Sequence, residues 1–171
     1  MQKIPTMFVR DEAKQALVTE TPHPDCGWVF AGDGVATRKI DGANVKVEWG
    51  ILYKRRKPPA GVAYDEAAYV PASRDDPADR WLFAAFDAFA TPANGIYEAI
   101  GPKIQGNPED CVVHELVAVD PFDPKLVLEG VPRDFDGLRE YLTGRDIEGV
   151  VFHHEDGRKC KVKKRDFGFK R

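Results

Sequence analysis

The chain has 171 residues, 31% of them charged, with a formal net charge of only −3. This length lies at the upper end of one ordinary domain and leaves room for a single core and a small appendage, so we expect one domain over residues 1–171. The balanced charge argues against a protein that binds nucleic acid by bulk charge alone, so any such binding would depend on local clusters of basic residues.

The first elements along the chain are predicted to be strands. "DCGWVFAG" at residues 25–32 groups apolar residues at strand spacing. "ANVKVEW" and "ILYKRR" alternate apolar and charged residues on either side of Trp49-Gly50, which suits a tight turn. The pattern predicts a β-hairpin directly after Lys39.

The middle of the chain predicts an insertion and a helix. Residues 57–79 are rich in Pro, Ala, Gly and Asp, which is typical of a lid-like insertion. "DPADRWLFAAFDAFA" then places Pro77 near a first helical position. It also brings four apolar residues onto one helix face, namely Leu82, Ala85, Phe86 and Phe89.

The remaining elements are predicted to be strands around one short helix. "GIYEAIG" and "CVVHELVAVD" have strand patterns and are separated by the loop "PKIQGNPED". "FDGLREYLTG" predicts a helix capped by Asp136 and closed by Gly144. Two final strands flank the turn Glu155-Asp156-Gly157. The fold class predicted from this order is α+β with antiparallel sheets.

Cysteine spacing and hydropathy bear on the compartment. Cys26, Cys111 and Cys160 form no CxxC pair, so neither a disulfide framework nor a zinc site is expected. The N-terminus lacks the apolar core of a signal peptide, and no run approaches the length of a membrane span. We therefore expect a soluble, cytoplasmic protein without a membrane partner.

The stretch "RKIDG" places Lys39 at a strand end, followed by Asp41 and Gly42. Gly42 allows a ligand such as a phosphate to approach the backbone closely. By itself, a KxDG pattern is weak, because it occurs by chance in many chains and is more often a surface lysine in a turn. It therefore needs support from elsewhere in the chain.

That support comes from the C-terminal part. Glu148 precedes the apolar stretch "GVVF", and Lys161 and Lys163 lie two apart in a predicted strand, which points both to one face. A lysine nucleophile, an acid and a lysine pair are the groups that nucleotidyl transfer needs. The lysine attacks an α-phosphate, the acid holds a divalent metal, and the pair neutralises phosphate charge.

The ordered set of KxDG, "YEAIG", "EGVVF" and KxK resembles the adenylyltransferase domain of polynucleotide ligases and capping enzymes. The resemblance covers Trp28 to Gly168. The loop "GPKIQGNP", the ending "EGVVFHHEDGRKCKVKKRDFG" and the start "PTMFVRD" are most similar to small 5′-to-3′ RNA ligases, a family with a vertebrate member. Unlike DNA ligases and capping enzymes, the chain is expected to lack an OB-fold.

The resemblance implies a role for each motif. Lys39 forms a covalent lysyl-AMP bond, which requires a neutral amine, and Asp41 and Gly42 complete the nucleophile motif. Glu148 binds a metal, Mg²⁺ or Mn²⁺. Lys161 and Lys163 contact phosphate.

Further positions are implied to contact the nucleotide, with alternatives left open. Asn44 matches a nucleotide-binding asparagine, or is an ordinary strand residue. Glu98 accepts hydrogen bonds from the ribose hydroxyls, or is an exposed strand glutamate. His114 takes the place of a base-stacking aromatic, or is a core histidine, with Phe122 as the alternative stacking residue.

Basic and aromatic clusters complete the candidates. Lys54 and Arg56 share a face of "YKRRK" and are candidates for a ribose or phosphate contact, although a solvated charge run is the usual alternative. The tail "RKCKVKKRDFGFKR" adds a second basic stretch. Trp81, Phe83, Phe86 and Phe89 have helical spacing and predict core packing.

The function expected from this resemblance is ATP-dependent RNA ligation. The partner is RNA with a 5′-phosphate and a 3′-hydroxyl, and the protein is expected to be a monomer. DNA or nick ligation by the same chemistry stays open, as does a non-catalytic nucleotide- or RNA-binding module. The sequence leaves the choice between ATP and GTP undecided.

Overall fold

The computed structural model describes residues 4–57 and 68–170. It is α+β with mostly antiparallel sheets, which confirms the predicted class. The described chain divides into two compact units, which we name after the main sheet of each. The five-stranded unit is Ile40–Val119, and the three-stranded unit is Ile4–Lys39 with Asp120–Arg171. The prediction of one domain over residues 1–171 stays a prediction. No helix within 4–57 and 68–170 has the length and apolar character to cross a bilayer.

The three-stranded unit is built around one central strand. Its elements are β1 (Phe8–Arg10), β2 (Val18–Pro22), α1 (Gly27–Phe30), β3 (Val35–Arg38), α3 (Phe135–Thr143), β9 (Gly149–His153) and β10 (Lys159–Lys163). β9 pairs with β3 on one side and β10 on the other, both antiparallel. β9 is buried along its whole length because it is apolar and central. β1 and β2 form a separate pair.

The five-stranded unit contains β4 (Ala43–Glu48), β5 (Ile51–Arg55), β6 (Tyr69–Pro71), α2 (Arg80–Ala88), β7 (Gly95–Ile100) and β8 (Glu115–Ala118). The strand order is β6-β5-β4-β7-β8. One face of β4 carries Val45 and Val47, which form a core with residues of α2. The opposite face carries polar residues, as expected for an antiparallel sheet with one covered side.

The predicted hairpins are confirmed. Trp49 and Gly50 have φ of +53° and +76°, the pair of left-handed conformations required by a two-residue turn between β4 and β5. β9 and β10 flank the predicted turn at residues 155–157, where Gly157 has a φ of +89°.

The strand predicted at residues 25–32 was wrong, and the helix predicted from Pro77 was partly wrong. "DCGWVFAG" is not a strand: Pro24–Cys26 forms a 3₁₀ turn that continues into α1. His23 accepts a hydrogen bond from the Asp25 amide, and Trp28 and Val29 are buried. A short apolar run does not distinguish a buried strand from a buried helix turn.

The predicted helix from Pro77 begins as a 3₁₀ turn at Pro77–Asp79 and ends at Ala88, leaving Phe89 39% exposed.

Two further boundaries were misplaced. The strand predicted over residues 111–120 covers only β8, and Val112 and Val113 before it are exposed. α3 is capped by Asp134, whose side chain accepts from the Gly137 amide, and not by Asp136, which lies inside the first turn. The closing Gly144 is confirmed. Of the insertion predicted around residues 57–79, residues 58–67 lie outside the described part.

Candidate active site

Sheet pairing in the three-stranded unit brings three predicted site residues together. Lys39 follows β3, Glu148 precedes β9, and Lys163 ends β10. Because β3 and β10 both run antiparallel to β9, these three positions lie at the same end of the sheet. The Lys39 amide donates to the Gly149 carbonyl at 2.9 Å, and Lys163 pairs directly with Gly149.

The three side chains form what we call the charge triad. Glu148 Oε2 lies 2.5 Å from Lys39 Nζ, and Oε1 lies 2.5 Å from Lys163 Nζ. The side chains of Lys39, Glu148 and Lys163 are 18%, 12% and 12% exposed. With both lysines charged, the triad carries a net charge of +1, so it is suited to attract an anion.

The surroundings of Glu148 keep it ionised. Burial favours the neutral acid and so would raise the pKa of Glu148, but the charge of Lys39 and the hydrogen bonds from both lysines outweigh burial. The pKa of Glu148 is therefore held below its usual range. Glu148 acts here as a carboxylate that accepts hydrogen bonds through both oxygens.

Two residues that the sequence analysis missed fix the backbone of the triad. Asp166, fully buried, accepts hydrogen bonds from the Lys163 amide and from Arg10 Nη2, both at 2.8 Å. Gly149 has no room for a side chain, because a Cβ there would overlap the Val162 carbonyl of β10. The sequence signal for Asp166 was its position three residues after Lys163, where an acid can accept a hydrogen bond from the amide that begins a helical turn.

Lys161 lies on the same face of β10 as Lys163, which confirms the predicted alternation. Both are partly exposed, whereas Cys160 and Val162 between and beside them are buried in the core. The backbone of Lys161 is held by the N-terminal segment: its amide donates to Pro5 and its carbonyl accepts from Met7.

In the five-stranded unit, a loop holds the two residues that complete the KxDG motif. The Asp41 amide donates to Glu109 Oε1 at 3.0 Å, and Gln105 Nε2 donates to the Gly42 carbonyl at 2.6 Å. A Cβ on Gly42 would approach the Ala99 carbonyl oxygen to 2.6 Å. Gly42 therefore has a packing reason to be glycine, and its predicted role beside a ligand stays a prediction.

The polar face of the five-stranded sheet brings Asn44 and Glu98 together. They pair across β4 and β7, and Asn44 Nδ2 donates to Glu98 Oε1 at 3.1 Å. Tyr69, which the sequence analysis missed, donates its hydroxyl to Asn44 Oδ1 at 2.5 Å. Burial raises the pKa of Tyr69, and Arg55 opposes this shift.

The basic cluster on β5 divides between the two faces. Lys54 pairs with Val45 on the covered face and binds Asp79, which is 2% exposed, through both carboxylate oxygens at 2.6 Å. Arg55 pairs with Tyr69 on the polar face, so the sequence analysis missed the residue that shares a face with Glu98. Arg56 is exposed. The nucleotide contacts implied for Lys54 and Arg56 stay predictions.

The two candidate stacking residues have different surroundings. His114 stacks on Trp81 with ring centroids 4.9 Å apart and planes 4° apart. Phe122 is 83% exposed. Trp81, Phe83 and Phe86 pack against the core, as predicted from their helical spacing.

Glu148 is the residue that the resemblance implies for a divalent metal. Within residues 4–57 and 68–170, no three His, Cys, Asp or Glu side chains cluster at a metal-binding distance. Mg²⁺ is commonly held by one or two carboxylates together with substrate phosphates, and Glu148 fits that arrangement as a single ligand. Both of its oxygens bind ammonium groups, so a metal would compete with Lys39 or Lys163 for one oxygen.

Comparison with known proteins adds no assignment. No family model matches the chain, and no curated protein matches it.

Proposed function

We propose that this chain is an ATP-dependent RNA ligase that works through a covalent lysyl-AMP intermediate. The observation that carries the proposal is the charge triad, in which Glu148 binds Lys39 and Lys163 simultaneously. A partly buried triad with excess positive charge is well suited to an α-phosphate. The order of motifs along the chain, which resembles that of RNA ligases, supports the same chemistry.

The first step transfers AMP to the protein. Lys39 loses a proton to solvent, and the Nζ lone pair attacks the α-phosphorus of ATP. A phosphorus–nitrogen bond forms, the bond from the α-phosphorus to the bridging oxygen breaks, and pyrophosphate leaves. Glu148 orients Nζ from 2.5 Å, and Lys163 neutralises charge on the phosphate.

The next two steps join the RNA. An oxygen of the RNA 5′-phosphate attacks the lysyl-AMP phosphorus, the phosphorus–nitrogen bond breaks, and Lys39 takes up a proton and again pairs with Glu148. The oxygen of a 3′-hydroxyl then attacks the phosphorus of the adenylated 5′-phosphate. A phosphodiester bond forms, the phosphoanhydride bond to AMP breaks, AMP leaves, and the hydroxyl proton passes to solvent. A bound Mg²⁺ or Mn²⁺ would supply charge neutralisation at these phosphates.

The partner proposed for this chemistry is RNA with a 5′-phosphate and a 3′-hydroxyl, acted on by a monomeric cytoplasmic enzyme. The basic residues of "YKRRK" and of the C-terminal stretch are the candidates for backbone contacts. DNA or nick ligation would need the same triad, so substrate comparison must decide between them.

The test is to incubate the protein with ATP and magnesium and to measure its intact mass. We expect one added AMP in the wild type and in the exposed-lysine control Lys125→Ala, and none in Lys39→Ala. Lys39→Arg should also fail, because a guanidinium keeps its proton and cannot attack.

Labelling retained in Lys39→Ala would remove Lys39 from the mechanism. No labelling in the wild type, with ATP or GTP, would favour a non-catalytic binding module. A folded enzyme that seals nicked DNA better than RNA would assign it to DNA ligation.

A further inference from the structure

Three side chains form a continuous chain of hydrogen bonds on the polar face of the five-stranded sheet. Tyr69 on β6 donates its hydroxyl to Asn44 Oδ1 at 2.5 Å, and Asn44 Nδ2 donates to Glu98 Oε1 at 3.1 Å. All three residues are partly buried. Because they come from β6, β4 and β7, strand pairing and not local sequence brings them together.

Tyr69 reaches Asn44 across an intervening strand. The strand order β6-β5-β4-β7 puts β5 between the two residues. Neighbouring strands lie about 4.8 Å apart, so roughly 10 Å separates the two backbones, and only a long side chain covers most of that distance. The ring of Tyr69 also lies 5.9 Å from Lys46 Nζ, within the range of a cation–π contact. Both contacts hold the Tyr69 side chain against the sheet.

The chemistry of the three groups fixes the direction of each hydrogen bond. An ionised glutamate can only accept, so Asn44 must donate to Glu98 through Nδ2, and its Oδ1 faces Tyr69. Burial raises the pKa of Tyr69, Arg55 opposes this shift and the charge of Glu98 adds to it, so the hydroxyl keeps its proton at neutral pH. Removing the Tyr69 hydroxyl would therefore leave the Asn44 amide able to rotate away from Glu98.

We propose that Tyr69 is a positioning residue that acts through Asn44 to hold Glu98 in the orientation in which its carboxylate accepts hydrogen bonds from ribose hydroxyls. The inference rests on the proposed function, because ATP supplies the ribose. The two ribose hydroxyls of ATP are neighbouring donors that can both approach one carboxylate, whereas its phosphates are negatively charged acceptors. A Glu98 side chain that is already oriented loses less conformational entropy when the nucleotide binds.

The binding test compares AMP with 2′,3′-dideoxy-AMP, because neither ligand carries a pyrophosphate leaving group and so neither can react with Lys39. We expect the wild type to bind AMP about tenfold more tightly than 2′,3′-dideoxy-AMP, and Tyr69→Phe to lose most of this preference by binding AMP more weakly. Tyr53→Phe is the matched control and should keep the preference. The ring of Tyr53 also contacts Lys46, but its hydroxyl makes no hydrogen bond within residues 4–57 and 68–170.

A double-mutant cycle tests whether Tyr69 acts through Asn44. Asn44→Ala should also weaken AMP binding, and adding Tyr69→Phe to Asn44→Ala should have no further effect. Additive losses would show that Tyr69 acts independently of Asn44 and would contradict the proposal. An equal loss of both ligands in Tyr69→Phe, or an unchanged preference for AMP, would overturn it, because neither result is specific to the ribose hydroxyls.

Labelling of Lys39 by ATP, measured on the same samples, separates this inference from the proposed function. A wild type that prefers AMP through Tyr69 but forms no lysyl-AMP rejects the ligase and keeps the positioning role. A wild type that forms lysyl-AMP but does not distinguish AMP from 2′,3′-dideoxy-AMP keeps the ligase and rejects the role of Tyr69.

Discussion

Glu148 Oε2 lies 2.5 Å from Lys39 Nζ, although 109 residues separate the two along the chain. The contact depends on β3 and β9 being neighbours, because Lys39 and Glu148 lie just outside the paired ends of these strands. Lys163 completes the arrangement from β10. The fold therefore places an acid between two ammonium groups that enter from different strands.

Replacing Glu148 with Gln should reduce AMP uptake by about a hundredfold or more, because the amide lacks the negative charge that balances two lysines and holds a divalent metal. Loss of the two charge-assisted hydrogen bonds should also lower the free energy of unfolding by about 1–3 kcal/mol. Mass labelling and urea unfolding measure the two effects. Glu155→Gln, an exposed substitution of the same type, is the control. If the folded Glu148→Gln variant labels normally, Glu148 is purely structural.

Acidification should destabilise the protein through His153. Burial, helped by the charge of Lys159, lowers the pKa of His153 to about 4, from 6.5 in the unfolded chain. Between these values the unfolded state binds the proton and the folded state does not, so stability is full above pH 6.5 and falls towards pH 4, by about 3 kcal/mol. Unfolding followed across this pH range in wild type and His153→Gln isolates the effect. Parallel curves for the two proteins would show that His153 does not titrate between the states.

Lys54 should be required for stability of the five-stranded unit. Its pKa is raised, because its hydrogen bonds to Asp79 and Asp76 outweigh burial, which acts in the opposite direction. Lys54→Met leaves the buried Asp79 carboxylate without its cation and should destabilise the protein by about 3–5 kcal/mol. Exposed Arg56→Ala should unfold like the wild type.

AMP labelling is then measured on the folded fraction of Lys54→Met. This measurement distinguishes a structural role of Lys54 from a nucleotide contact. Normal labelling would restrict Lys54 to its structural ion pairs. Loss of labelling in fully folded protein would restore the predicted nucleotide contact.

Joining should be more sensitive to salt than self-adenylation. If four basic residues each neutralise one phosphate of a single strand, affinity falls roughly fiftyfold between about 50 and 200 mM salt. ATP is a small ligand held by fewer charges, so AMP uptake should change much less. Parallel titrations with 5′-phosphorylated RNA and DNA of one sequence measure this, and RNA should perform better if a 2′-hydroxyl is recognised. An identical salt response of both steps would exclude the basic stretches as the RNA surface.

Periodicity and turn chemistry determined much of the local structure from the sequence. The two-residue alternation of β10 was sufficient to place Lys161 and Lys163 on one face. The turns at Gly50 and Gly157 followed from glycines, which tolerate positive φ, whereas nothing in a tryptophan predicts the positive φ of Trp49. These features depend on neighbours a few residues apart, so the chain itself specifies them.

Contacts between distant segments were decided by the tertiary structure alone. The run "GWVF" became a helix because Trp28 and Val29 are buried in a core that their own sequence does not describe. Asp79 forms an ion pair with Lys54, and Trp81 stacks on His114. Both contacts depend on strand register and helix packing, which bring distant residues together. The motifs identified Lys39, Glu148 and Lys163 as candidates. Only the pairing of β3, β9 and β10 brought their charges within contact distance. Electrostatic interactions depend on distance and burial, so the order of residues along the chain does not determine them.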